Sequence, residues 1–175
     1  MIAVWGRAHA VAPATLPLPA NVQACFDTPR LSGACRHTHW GYYIYDAWLW
    51  TGSQGIDTAT LAQPFALALR FAREFSGPHL ARRLVEEIGA IGRGTDSQRA
   101  EWLRWLSAAL PDIEPGDVVI GVYRPGAGLC LVLNGEPQAS SHDAVLAKSL
   151  FSVWLSAQTR APHVRAALLE RNPSN

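Results

Sequence analysis

The sequence predicts an α+β fold: an antiparallel β-sheet covered on one face by a layer of helices. Three observations predict it. Residues 116–139 alternate apolar strand and turn, with Gly116, Pro125-Gly126-Ala-Gly128 and Asn134-Gly135 supplying the positive φ that tight hairpins need. They read as a three-stranded antiparallel meander. Helical apolar periods recur in two separate blocks, 78–110 and 141–168. The order is therefore strands, two helices, three strands, two helices, and segregated runs of this kind indicate α+β rather than βαβ winding.

Composition bounds the function classes. At 175 residues, 49% hydrophobic and 17% charged, the chain can bury a sizeable core and is not disordered. Its formal net charge of +1 comes without a basic stripe, which argues against nucleic acid as a partner. No stretch approaches the roughly 20 apolar residues of a membrane span. Residues 1–17 read as an extended N-terminal segment and 18–171 as a single domain. Residues 1–13 carry one Arg and no continuous apolar run, so they are not an intact signal peptide, although Ala8-His9-Ala10 has the small-x-small look of a cleavage site. The compartment stays open: periplasmic or secreted if a signal precedes Met1, cytoplasmic otherwise.

Taken in order, Val22–Phe26 and Leu31–Arg36 form a first hairpin, turning at Asp27-Thr28-Pro29-Arg30. A long aromatic strand runs from His39 to Trp50, with large side chains on both faces, so both faces meet protein or ligand. Residues 51–63 are a loop. Phe65 to Phe71 alternates Phe65, Leu67, Leu69 and Phe71 against Ala and Arg, a strand with one buried face. Gly77-Pro78 opens a helix whose apolar stripe is Leu80, Leu84, Ile88 and Ile91, ended by Gly92 and Gly94. Asp96 or Ser97 caps the next, with Trp102, Leu103, Leu106 and Leu110 inward. After the meander, Leu146, Leu150 and Val153 mark a third helix from about Ser141, and Pro162 starts a fourth with Val164 and Leu168. Arg171-Asn172-Pro173 ends the fold. The apolar stripes of the first and third helices need one common sheet face.

Cys25, Cys35 and Cys130 lack metal-like spacing and read as three buried thiols acting as small apolar residues, without a disulfide. His37 and His39 share a strand face with Cys35, but three ligands on one short strand rarely close a tetrahedral site, so no metal is expected. His79, His142 and His163 lie near helix starts, where histidines stay exposed. Ser140-Ser141-His142-Asp143 holds the letters of a triad without its geometry and reads as a helix cap. Gly126-Ala-Gly128 joins strand to strand, with no helix N-terminus to receive a phosphate. No cofactor is implied.

Three motifs carry a resemblance. Leu31-Ser-Gly-Ala-Cys-Arg36 is similar to Leu-x-Gly-Ala-Gly-x-Arg with one residue missing, and Tyr43-Ile-Tyr-Asp-Ala-Trp-Leu-Trp50 follows it. Gly116-Asp117 opens the meander and Asn134-Gly135 closes its second strand. Ser149-Leu-Phe-Ser-Val-Trp-Leu155 is similar to Leu-Phe-x-Ile-Trp-Leu-Gly. From about Leu18 to Leu169 the chain resembles the chalcone isomerase-like family, in particular its bacterial members. The resemblance implies a ligand cleft between an antiparallel sheet and its helices. In the isomerases an Arg, a strand Thr and a helix Tyr, Lys and Asn line that cleft and stabilise phenolate and enolate during ring closure. Other members of the fold bind fatty acids. Here Arg36 matches the Arg. The Thr place falls near Ile44 or Tyr45, and the Tyr, Lys and Asn places fall at Leu80, Arg83 and Glu87. An Arg for Lys keeps charge without shape, and Glu87 repels a phenolate.

The candidate ligand-binding residues are thus Arg36, Tyr43, Tyr45, Asp46, Arg83 and Glu87. Arg36 is either an anchor for a carboxylate or enolate, through its planar fork of donors, or an ordinary strand-end Arg in water or paired with Asp46. Asp46 is odd among aromatics: it is either a buried base or partner of an Arg, or a bulge or rim carboxylate reaching solvent. Tyr42, Tyr43, Tyr45, Trp48 and Trp50 line a pocket or pack a central strand. The leading reading is a non-catalytic protein that holds a small amphipathic ligand, such as a fatty acid, with Arg36 pointing into the cleft as its anion anchor. The competing reading is an isomerase or lyase acting on a chalcone-like ketone with a site rebuilt around Arg36, Asp46 and Tyr45. A third is a purely structural partner in a membrane or secreted system.

Overall fold

The computed structural model describes residues 13–171. The expectations for residues 1–12, the cleavage-like Ala8-His9-Ala10 among them, and for residues 172–175 lie outside the described residues. Six strands form one antiparallel sheet in chain order: β1 (Arg30–His39), β2 (Tyr42–Thr51), β3 (Phe65–Phe71), β4 (Val118–Arg124), β5 (Gly128–Leu133) and β6 (Glu136–Ser141). A short helix α1 (Ala20–Gln23) precedes the sheet. Helices α2 (Gly77–Ala90) and α3 (Asp96–Ala109) join β3 to β4, and α4 (Ala144–Leu155) and α5 (Pro162–Leu168) follow β6.

The helices share one sheet face, as the two apolar stripes require. Ala81 and Ile88 of α2, Trp102 and Leu106 of α3, Leu146 and Leu150 of α4 and Val164 and Leu168 of α5 join one core with Leu49, Phe65, Leu67, Leu131 and Phe151. The opposite face is covered as well. Leu18, Val22 and Phe26 from the N-terminal segment pack over Trp48, Ala66, Ala68, Ile120 and Val122. β3 is therefore buried on both faces, its small Ala66 and Ala68 lying under that segment, where one buried face was expected.

The first hairpin differs from its expected place. Residues 22–26 are not a strand. Gln23 N–H donates to Pro19 C=O and Ala24 N–H to Ala20 C=O, so the segment coils into α1, and Val22, Cys25 and Phe26 meet the sheet at helical spacing. The true hairpin is β1–β2, which turns at Trp40 (φ +53°) and Gly41 (φ +78°), and the long aromatic strand is split there. Two φ > 0 residues in a two-residue loop match the right-handed strand twist. Thr95, one residue earlier than expected, caps α3: Gln98 N–H donates to its hydroxyl and Thr95 N–H to the Gln98 side chain, a reciprocal pair. Asp143 caps α4, accepting from Val145 and Leu146 N–H. Cys35 is buried while Cys25 and Cys130 are half-buried, and all are free thiols. Burial, with the charge of Asp46 adding, pushes the Cys35 thiol up to about 12.

Gly33 fixes how close α5 lies to β1. A Cβ there would stand 2.0 Å from the Ala167 carbonyl oxygen and 2.6 Å from that of Leu168. At the other end of the sheet, β6 is short and polar, with Glu136, Pro137 and Gln138 exposed.

Candidate ligand cavity

Between the sheet and α2, α3 and α4 lies a cavity of about 420 Å³. That is within the range of about 300–1,000 Å³ found for small-molecule sites. Its wall is graded. Leu67 and Leu69 of β3, Val119 and Gly121 of β4, Leu131 of β5 and Leu106, Leu110, Leu150 and Phe151 from the helices make an apolar end. The polar groups come from β1, β2 and the opposite helix edge: His37, Tyr45, Arg83, Glu87, Thr159 and Arg160. The gradient follows from the strand sequences, since β3 to β5 carry aliphatic residues on this face while β1 and β2 carry His and Tyr.

A bulge sets the polar end. His37 pairs with Tyr45 and the next pair is Thr38 with Tyr43, so Ile44 is the extra residue and both Ile44 and Tyr45 line the cavity. Trp154 Nε1–H donates to the Tyr45 hydroxyl oxygen at 3.1 Å, which fixes the ring and leaves the Tyr45 O–H as a donor. Burial, ahead of every other influence, holds that phenol well above its ordinary value, so it stays protonated. His37 stacks on Tyr45 at 4.8 Å and on His163 at 5.5 Å between ring centroids, and its Nδ1 is buried without a partner.

Burial first, then neighbouring His163 and His39, lowers the His37 pKa from 6.5 to about 4. His37 is therefore neutral at pH 7. A depressed histidine favours the folded state fully above its unfolded value and loses that contribution as pH falls from about 6.5 toward 4. An NMR titration of the imidazole C–H resonances is expected to give His37 a midpoint near 4. A midpoint at 6.5 would mean that the ring is solvated.

At the mouth, Glu87 Oε1 sits between Arg160 Nη1 at 3.3 Å and Arg83 Nη2 at 3.8 Å, and Arg83 also reaches Glu86. These arginines are more than half exposed, so the pairs add little stability and can exchange partners.

The six sequence-predicted residues thus separate into two groups. Tyr45, Arg83 and Glu87 line the cavity. Arg36, Tyr43 and Asp46 meet each other on the opposite face of the sheet. Arg36 Nε donates to Asp46 Oδ1 at 2.8 Å, Tyr43 Oη to Oδ2 at 2.8 Å, and Arg70 Nη2 to Oδ2 at 2.8 Å. The Arg36 guanidinium also lies 4.1 Å from the Tyr43 ring centroid. Arg36 therefore does not point into the cleft. Strand parity is the reason: Cys35, His37 and His39 face the helices and Arg36 faces away. It is also mid-strand rather than at a strand end. Asp46 is neither rim nor bulge; it is fully buried, and the bulge lies two residues earlier. Burial opposes its ionisation, but the donors Arg36, Arg70 and Tyr43 outweigh that and hold its carboxyl below the ordinary value.

Sequence reasoning missed His37 and Trp154 as cavity residues. For His37 the signal existed, since it shares parity with the apolar Cys35. Among the described residues no cluster of three metal-capable side chains converges, and no helix is long and apolar enough to cross a membrane.

Residues 11–170 match the model of a family described as chalcone isomerase-like. An uncharacterized protein of Haemophilus influenzae is 24% identical over 140 residues, covering 78% of this chain and 66% of that protein's length. The crystal structure of a fatty-acid binding protein of Arabidopsis thaliana superposes with a TM-score of 0.64 at 12% identity, covering 82% of this chain and 88% of the other. At that identity the likeness is one of fold.

Proposed function

The chain belongs to the chalcone isomerase-like family, and from its own cavity we propose that it binds a small amphipathic molecule, with a long-chain fatty acid as the model ligand, and catalyses no reaction on it. The graded wall of the cavity carries this reading. The tail lies among Leu67, Leu69, Leu131, Leu150 and Phe151, and the acid group lies at the His37–Tyr45 end, accepting from the Tyr45 O–H and from Arg83 or Arg160 once Glu87 yields. The absence of turnover is supported by the residues at the isomerase places: Leu80, Arg83 and Glu87 stand on α2, and Arg36 is held by Asp46 on the other sheet face. The neighbour of like fold from Arabidopsis is described as a fatty-acid binding protein, which supports the reading.

The test is a titration of a long-chain fatty acid and its matching alcohol against the parent protein, Tyr45→Phe and Arg36→Ala. Tyr45→Phe is expected to weaken the acid by about tenfold or more, the scale of a hydrogen bond to a charged group, and the alcohol less. Arg36→Ala is expected to change neither by more than about twofold, because its side chain lies on the opposite face of the sheet from the cavity. Equal losses for acid and alcohol in Tyr45→Phe would remove the head-group assignment. Saturable cyclisation of a chalcone by the parent would overturn the non-catalytic reading.

A further inference from the structure

The β1–β2 turn is not explained by the fold or by the cavity. Trp40 is 87% exposed and Tyr42 59% exposed, the two most exposed large apolar side chains among the described residues. Trp40 holds φ +53° at the first central position of a two-residue turn, where Asn, Asp or Gly is the unstrained choice. Among the described residues its one ring neighbour is His39, at 6.1 Å between centroids. A bulky residue kept at a strained, solvated position is an outlier that points to something outside the folded chain.

The surroundings specify what. Arg73 lies 4.7 Å from the Tyr42 ring centroid and donates to the Tyr43 carbonyl, and Arg36 lies over the other face of this hairpin on Tyr43. Arg36 and Arg70 share the buried Asp46, so with Arg73 three guanidinium groups lie around this hairpin against the Asp46 carboxylate. An exposed Trp and Tyr with a guanidinium stacked on the Tyr ring is the composition of a water–bilayer boundary. The turn is also continuous with the cavity. The shallow groove formed by Trp40, Tyr42 and Arg73 shares His39, Ile44 and Phe75 with the main cavity.

We propose that the β1–β2 turn is a membrane-surface anchor: Trp40 and Tyr42 enter the head-group region of an anionic bilayer, Arg73 meets lipid phosphate, and the cavity mouth is seated on the membrane. Its use as an entry for cargo rests on the ligand reading above; docking itself does not.

The experiment is flotation of the full chain with vesicles of phosphatidylcholine alone or mixed with phosphatidylglycerol, comparing the parent with Trp40→Asn. Asn accepts the left-handed backbone, so this variant should melt at or above the parent temperature. The parent is expected to float with the anionic vesicles, less so at high salt. Trp40→Asn is expected to lower the partition coefficient about tenfold or more. Equal flotation of both proteins, or no flotation of the parent at either composition, would overturn the proposal. A parent dimer in light scattering that Trp40→Asn breaks, without flotation, would instead assign the turn to self-association. A fatty-acid titration without vesicles separates the two readings. A parent that floats but takes up no fatty acid keeps the anchor and loses the ligand; one that binds fatty acid but never floats does the reverse.

Discussion

Asp46→Ala is expected to destabilise the protein by about 2–4 kcal/mol in urea unfolding. Removing one partner from a buried ion pair costs about 3–5 kcal/mol. The arginines left behind are 39% and 36% exposed, so they rehydrate in part and the loss shifts toward the lower end of that range or just under it. Arg36→Ala should cost less, because Arg70 and Tyr43 still satisfy the carboxylate. The effect has a pH signature. The folded carboxyl is held below its ordinary 3.8, so the unfolded chain takes up the proton first as pH falls. The contribution of Asp46 is complete above about pH 4 and disappears as pH drops through its folded value. The gap between parent and Asp46→Ala should close over that acid range. A gap that stays constant down to pH 2 would mean that packing, not charge, is the source.

Gly33→Ala is expected to cost about 2–3 kcal/mol or more, the upper range for forcing extra atoms into a packed site. The obstacles are the carbonyl oxygens of Ala167 and Leu168, which cannot rotate away as a side chain would. α5 must therefore lift off β1, loosening the fully buried Val164 and Leu168 and drawing His163 from His37. The substitution should then also move the His37 titration midpoint from about 4 toward 6.5. Loss of stability with an unchanged midpoint would show that α5 and the cavity are uncoupled.

The meander, the four longer helices and their common face were legible because their signals are local: Gly-containing turns, caps and apolar periods. The β1–β2 hairpin was not, because a Trp in the left-handed region is no turn signal and Gly41 alone was too little. The bulge at Ile44 was likewise hidden, since an extra residue depends on the register of the partner strand. Both features bear on the site. The bulge sets Ile44 beside Tyr45 in the cavity wall, while strand parity on β1 turns His37 in and Arg36 away. Arg83 and Glu87 were reached through the family resemblance, and Asp46 was marked as odd from its neighbours. Arg70 was out of reach, because only the pairing of β2 with β3 sets it beside Asp46.

The polar last strand has a consequence for how molecules of this protein meet one another. An open sheet ends in a row of unpaired backbone groups that can recruit a second sheet. Here β6 is that edge, and it is a poor template: Pro137 lacks an N–H, Glu136 brings a charge, and the irregular register between Leu131 and Val132 breaks its regularity. The opposite edge lies at β1, where Arg171 N–H donates to Ser32 C=O at 2.9 Å and so occupies one of its free backbone groups. Sheet-to-sheet growth is discouraged at both ends, so the native chain can stay concentrated without polymerising through its strands.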